Sequence, residues 1–530
     1  GSLNLSGAIS GSTPAAASLI KLGSGQLEFS GSDSNAYIGL TYVNEGTLYL
    51  NKSDGAVAIA GDLVIGDNFG VDTVLLGQDE QIASRDFFNS VNRTLTIKGS
   101  GVLDLNGRIE TVGNLSLEVS PVSGAQITTG AGMLILDGNI TVTNSIAGTS
   151  GATPAAIING NVDLGSRSRT ITVPESVSLA GNATTTPDLI INANITGNTS
   201  VNLTKAGTGY LLLNGDNSSM VGNIFHTAVV LGIGSNDALG AGTVSLSGTN
   251  YLIAANGART VANDFSLDGT MTVLGSDNLT INGRTNLTAN RIVRVLDAAQ
   301  TTEFAGGIGE QLGSRALTVQ GAGTVVISGA STFSGNLTVG TNRILSPLAT
   351  SATVASDLEG GNLVLRGNGT VREVTTTIAL NQGGTLILDN TAQNLERLSD
   401  AAVTINGGTL EIIGNVGNTT REYVGTLTAS SSAHSRVVLS PAGGDVELVV
   451  NGITMTLALN RIFVTDNNGL NLSTYSAFDG VVALSDYSNS LTAGSVANVR
   501  LAAGTHTLSG NTVISGLLLE EGAIIDTNGF

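Results

Sequence analysis

Three stretches of the chain, LIKLGSGQLEFSGSDS from Leu19, LTKAGTGYLLLNGDNS from Leu203 and LTVQGAGTVVISGAST from Leu317, follow one plan. Each runs through an apolar alternation, a Gly-x-Gly turn, a second alternation and a further turn at Ser, Asn or Asp with Gly. A strand-turn-strand unit of this length cannot bury its apolar face alone, so its stable form is a stack of similar units. The glycines serve that turn system: the chain has 71 Gly in 530 residues but 7 Pro, which is not the balance of a Pro/Gly-rich disordered tract.

The same alternation recurs between the three copies. GTLYL from Gly46, LTIKGSGVLDLNG from Leu95, GAGMLILDGNITVTN from Gly130, GNLVLRGNG from Gly361, GGTLILDN from Gly383 and GGTLEIIGN from Gly407 all carry period-two patterning beside a turn. Leu48 and Leu50, Leu386 and Leu388, and Leu410 and Ile412 are expected on the inward face, with Tyr49, Ile387 and Glu411 outward. With 4% aromatic residues and no Trp, the interior is expected to be a thin layer of Val, Ile, Leu and Ala. Coils of roughly 18 to 30 residues give on the order of 20 to 25 rungs. Residues 1–530 read as a single continuous β-solenoid, with excursions near 78–94, 389–403 and 474–489. Within these, 84–93 and 391–400 are the segments expected to make a turn or two of helix. Gly209 and Gly384 are expected to be turn glycines at positive φ.

The formal charge of −19 comes without any basic run, so nucleic acid and anionic lipid are poor partners, since neutralising phosphates takes clustered Lys and Arg. The absence of Cys fits a chain that crosses an oxidising compartment unfolded. No stretch approaches 18 consecutive apolar residues. The opening GSLNLSGAIS has neither an initiator Met nor a basic n-region before an apolar stretch, and the closing LLLEEGAIIDTNGF stops within the repeat pattern, so the chain reads as a piece of a longer protein.

The stretch Leu203 to Gly248 carries Lys205, Gly207, Gly209, Leu211, Leu213, Gly215 and Gly222, then Ala238, Leu239, Gly240 and Gly242. This order resembles the passenger-associated repeat of bacterial autotransporters. Lys21, Gly23, Gly25, Leu27, Phe29 and Gly31 form another copy, and Gly321 with Gly323 a third, in which Gln320 stands at the lysine position. The resemblance implies an all-β fold, a right-handed parallel β-helix, exposed on a bacterial surface or released from it. It also implies an outer-membrane barrel outside this segment and folding that proceeds coil by coil outside the cell.

Chemistry is sparse by comparison. His226, His434 and His506 are scattered, and no Gly-Asp-Ser-Gly phrase marks a protease. Asp62, Asp67 and Asp72 read as turn acids, with Asp67, Asn68 and Asp72 better suited to an Asx turn than to calcium. Glu520 and Glu521 are sequence neighbours and so point to opposite faces of a strand. No cofactor or metal is expected. Tyr475, Phe478 and Tyr487 form the most aromatic excursion and are the candidate ligand contacts. The expected function is a non-enzymatic extracellular structural or adhesive rod, a spacer or a contact surface for a host or neighbouring cell, a polysaccharide or another copy. The alternatives are a carbohydrate-acting β-helix enzyme and the scaffold of a secreted protease.

Overall fold

The computed structural model describes residues 1–11, 18–86, 90–145, 154–174, 186–340, 360–374, 377–430 and 435–455. Beyond 455 it describes strand segments 462–466, 473–476, 480–483, 498–501, 503–508, 516–519 and 523–526. The chain divides into two compact units, Gly1–Asn286 and Leu287–Phe530. Both are all-β among the described residues, and nearly all strand pairings are parallel. Together they make about 17 coils, fewer than the sequence suggests because many coils are long. Consecutive coils advance from Asn498 to Gly516 at the short end and from Leu337 to Ile378 at the long end.

In the first unit one sheet holds Gln26–Phe29, Gly46–Leu50, Asp72–Leu76, Gly101–Asp104 and Gln126–Thr128 in successive coils. A second sheet holds Leu19–Lys21, Thr41–Val43, Leu63–Ile65, Thr94–Ile97 and Asn114–Val119. Some coils add a third strand, as at Ile109–Val112 and Met133–Leu136 and at Arg259–Val261 and Leu279–Ile281. Because the stack is parallel and in register, like residues meet like. Leu48, Val74, Leu103, Ile127, Ile158, Ile191, Leu213 and Ile233 form one continuous inward ladder, and every member is buried. Each such side chain contributes about 2 kcal/mol of apolar burial, repeated coil after coil.

The second unit is built likewise. Gly384–Asp389 pairs with Gly361–Leu365 on one side and Thr409–Ile413 on the other. Leu386, Leu388, Leu410 and Ile412 point inward and are fully buried, while Ile387 and Glu411 are half-exposed, as the alternation dictates. Leu48 and Leu50 flank Tyr49 in the same way. Several of the few aromatic residues go inside: Phe29, Phe265, Phe304 and Phe333 are fully buried.

Neither expected helical turn forms among the described residues. Residues 391–400 are bends and turns, and their charge does not serve a solvated helix face. Arg397 is fully buried, with Nη1 and Nη2 donating to the carbonyls of Gly369 and Asp389 at 2.5 and 2.7 Å. Backbone carbonyls left free by the irregular loop therefore capture the guanidinium that the sequence places on a helix. In the excursion near 78–94, Arg85 and Asn92 form an antiparallel bridge; residues 87–89 lie outside the described set.

Gly209 and Gly384 are turn glycines for a different reason from the one expected. Neither has a positive φ; those belong to the neighbours Gly207 (78°) and Gly383 (73°). A Cβ on Gly209 meets the Pro174 carbonyl oxygen at 2.4 Å, and one on Gly384 meets that of Val339 at 2.3 Å. What these positions require is close backbone approach between coils.

Candidate functional site

The repeat's lysine has an exact structural task. Lys205 sits in strand Leu203–Ala206 with its side chain 1% exposed. Its Nζ donates to the carbonyls of Gly207 and Gly209 at 2.6 Å each and of Ala228 at 2.7 Å. The first two belong to its own Gly-x-Gly turn, and Ala228 to the corresponding turn of the next coil. An ammonium has three donors, and all three are used to fasten one turn to the next. Lys21 repeats the device in the first copy, donating to Leu22, Gly23 and Glu45 carbonyls. At Gln320 in the third copy the side-chain oxygen accepts instead, from Nε of Arg294 at 2.9 Å.

Burial draws the Lys205 ammonium down to about 7, against the charge of Asp188, which favours it. In the adjacent coil His226 lies directly in register with Lys205 and is fully buried. Burial first, and the neighbouring lysine second, push the imidazole down to about 3. His226 is therefore neutral at physiological pH, and its Nε2 faces the Val229 carbonyl at 3.2 Å. The pair sits inside the coil, closed to a substrate.

The buried carboxylates are likewise committed. Glu110 accepts from the backbone N–H groups of Gln81 and Ile82 at 2.7 and 2.9 Å, and burial holds its carboxyl far above the usual range. Glu422 accepts from Arg397 N–H at 2.9 Å and is pushed up to about 7 by burial. Asp72 accepts from the Ser100 hydroxyl at 2.7 Å, with burial raising it. Asp67 accepts from Phe69 N–H at 2.9 Å, the expected Asx turn, and Asp62 from Thr94 N–H at 3.0 Å. Among the described residues no three His, Asp or Glu side chains gather as metal ligands. These bonds lock coils together.

Of the candidate contacts, Tyr475 lies in strand Ser473–Ser476, which pairs antiparallel with Gly480–Ala483 and sets Tyr475 opposite Val481. Phe478 and Tyr487 lie outside the described residues, as do His434, Glu520 and Glu521. His506 is in strand Gly504–Thr507. Sequence reasoning quoted Lys205 for its motif and weighed His226 alone. Their pairing rests on a separation of one coil, which neither residue discloses.

The Lys-x-Gly-x-Gly turns fall within the stretches that match a known repeat. The model of the passenger-associated transport repeat matches residues 19–50, 203–223 and 317–341, the three phrases that carry the turn. These findings support a passenger domain of an autotransporter. The adhesin BmaC autotransporter of Brucella suis biovar 1 (strain 1330) is 24% identical over 448 residues, 74% of this chain. The chain spans 12% of that relative's length. No solved structure matches. The passenger similarity supports a cell-surface, extracellular location, and two of the three matched repeats, at Lys21 and Lys205, carry the lysine turn.

Proposed function

We propose that this chain works outside the cell as a non-enzymatic contact surface or spacer of a bacterial surface protein. Its partners in this reading are a host or neighbouring cell, a polysaccharide or a further copy of itself, and not nucleic acid. Attachment to the outer membrane through a barrel elsewhere in the parent protein belongs to the same proposal. The observation that carries it is the fate of the buried polar groups: Lys205, Arg397, Glu110 and Glu422 are spent on backbone groups of neighbouring coils. A stack built this way keeps its outward strand faces and turns for contact. The adhesin character of the Brucella relative supports the same role.

Beads coated with the 530-residue chain should be retained on cells or on polysaccharide-coated surfaces above uncoated beads. Release of unsaturated or reducing sugar from polysaccharide by the chain would instead establish the carbohydrate-acting alternative, and cleavage of a protein substrate the protease one.

A further inference from the structure

In the first unit, four of the most exposed large apolar side chains fall on one corner of the coil. Leu22, Phe69, Val71 and Val122 are 67, 79, 67 and 76% exposed. All sit in turns that lead from the second sheet to the first: Leu22 in the first coil, Phe69 and Val71 in the third, Val122 in the fifth. Single exposed apolar residues are ordinary, but their recurrence at one corner of the first, third and fifth coils is the mark of a contact surface.

The row is held in place. Ser100 Oγ accepts from the N–H groups of Asp67 and Asn68 at 3.1 and 2.9 Å, and Asn68 Nδ2 donates to Glu118 at 2.6 Å. That last bond ties the Phe69 turn to the strand that delivers Val122. Phe69 is thus a preorganised anchor, which keeps the entropy cost of binding low. The corner is also acidic on its outer side: Glu45, Asp67 and Glu118 stand along it, against Lys98 in the fourth turn and the buried Lys21 ammonium beneath Leu22 and Glu45.

Spacing selects the conformation of the partner. Contacts two coils apart recur at about 9.6 Å, twice the distance between neighbouring strands. An extended strand presents one face every two residues, about 6.8 Å, and an α-helix repeats over two turns at about 10.5 Å. A polyproline II helix returns to the same face every three residues, about 9.3 Å. We propose that this corner binds a proline-rich, basic segment in the polyproline II conformation, its prolines on Leu22, Phe69 with Val71, and Val122, and its cations on the flanking carboxylates. The proposal deepens the contact-surface reading and rests on it for where such a partner is met.

The test is calorimetry of the full chain with a synthetic (Pro-Pro-Arg)5 peptide, with (Gly-Ser-Arg)5 as a flexible peptide of equal charge. The Pro-Arg peptide should bind at least tenfold more tightly than the flexible one. Phe69→Ser and Val122→Ser should each weaken it at least fivefold, with thermal unfolding unchanged. Equal binding of both peptides, indifference to Phe69→Ser, or no binding at millimolar peptide overturns the proposal. So does a Phe69-dependent dimer in sedimentation, which assigns the row to a second copy. Because the assay reads this corner alone, its failure leaves the bead-retention result, and the surface reading with it, intact.

Discussion

Lys205 and His226 face each other in register across adjacent coils, both buried, so a cation and an imidazole share the interior of a stack that is otherwise mainly aliphatic there. The lysine is retained because it closes two turns at once. The histidine beside it must stay neutral, and this makes the first unit sensitive to acid.

His226 titrates at about 3 in the folded chain against about 6.5 when free. Its folded value is depressed, so its contribution to stability is complete above about pH 6.5 and is lost as pH falls toward 3. At pH 4 the loss is on the order of 3 kcal/mol. His226→Leu extends the apolar column of Leu246 and Leu267 and should raise the melting temperature at pH 4 relative to the parent while changing it little at pH 8. Thermal circular dichroism at the two pH values checks this; an unchanged difference between them counts against it.

Replacing the neighbour acts differently. Lys205→Met leaves the carbonyls of Gly207, Gly209 and Ala228 without their shared donor and should cost about 3 kcal/mol. Lys205→Gln keeps an amide donor for part of the hydrogen bonding and should cost less. Denaturant midpoints that rank the two variants in the opposite order would refute the turn-fastening role.

Glycines divide by mechanism. Gly55 has φ of 76° and open space around it, whereas Gly209 has an ordinary φ and a carbonyl oxygen 2.4 Å from where a Cβ would stand. Gly55→Ala should cost about 1 kcal/mol through its backbone conformation, and Gly209→Ala about 2 to 3 kcal/mol through forced separation of coils. Chemical denaturation of the two variants tests the order.

In the second unit the sign of the pH effect reverses. Glu422 titrates at about 7 because burial favours its neutral form. A raised carboxyl contributes stability that is complete below about pH 4.5 and lost as pH rises through 7, on the order of 3 kcal/mol across that window. Glu422→Gln should flatten this part of the stability profile. Hydrogen exchange over residues 389–403, corrected for intrinsic rates, reads it at the loop that Arg397 and Glu422 share; a slope equal to the parent's would show that another group carries it.

The strands were legible from Leu48, Tyr49 and Leu50, and again from Leu410, Glu411 and Ile412, because side-chain alternation is a property of consecutive residues. The Asx turn at Asp67 was legible for the same reason. Residues 391–400 misled because their helical appearance depends on treating Arg397 as solvated, and only the loop's free carbonyls remove it from water. The Phe69 corner gave no signal either, since Leu22, Phe69 and Val122 are far apart in sequence and ordinary one at a time.

By itself the sequence determined that the chain alternates, turns at glycine and stacks, and its Lys-x-Gly-x-Gly phrases resemble the passenger-associated repeat. Tertiary structure decided which residues meet: Lys205 with His226, and Arg397 with Glu422. The physical reason is that strand and turn preferences act over a few residues. Contact between coils depends on how many residues each coil takes to close, and that number varies from one coil to the next.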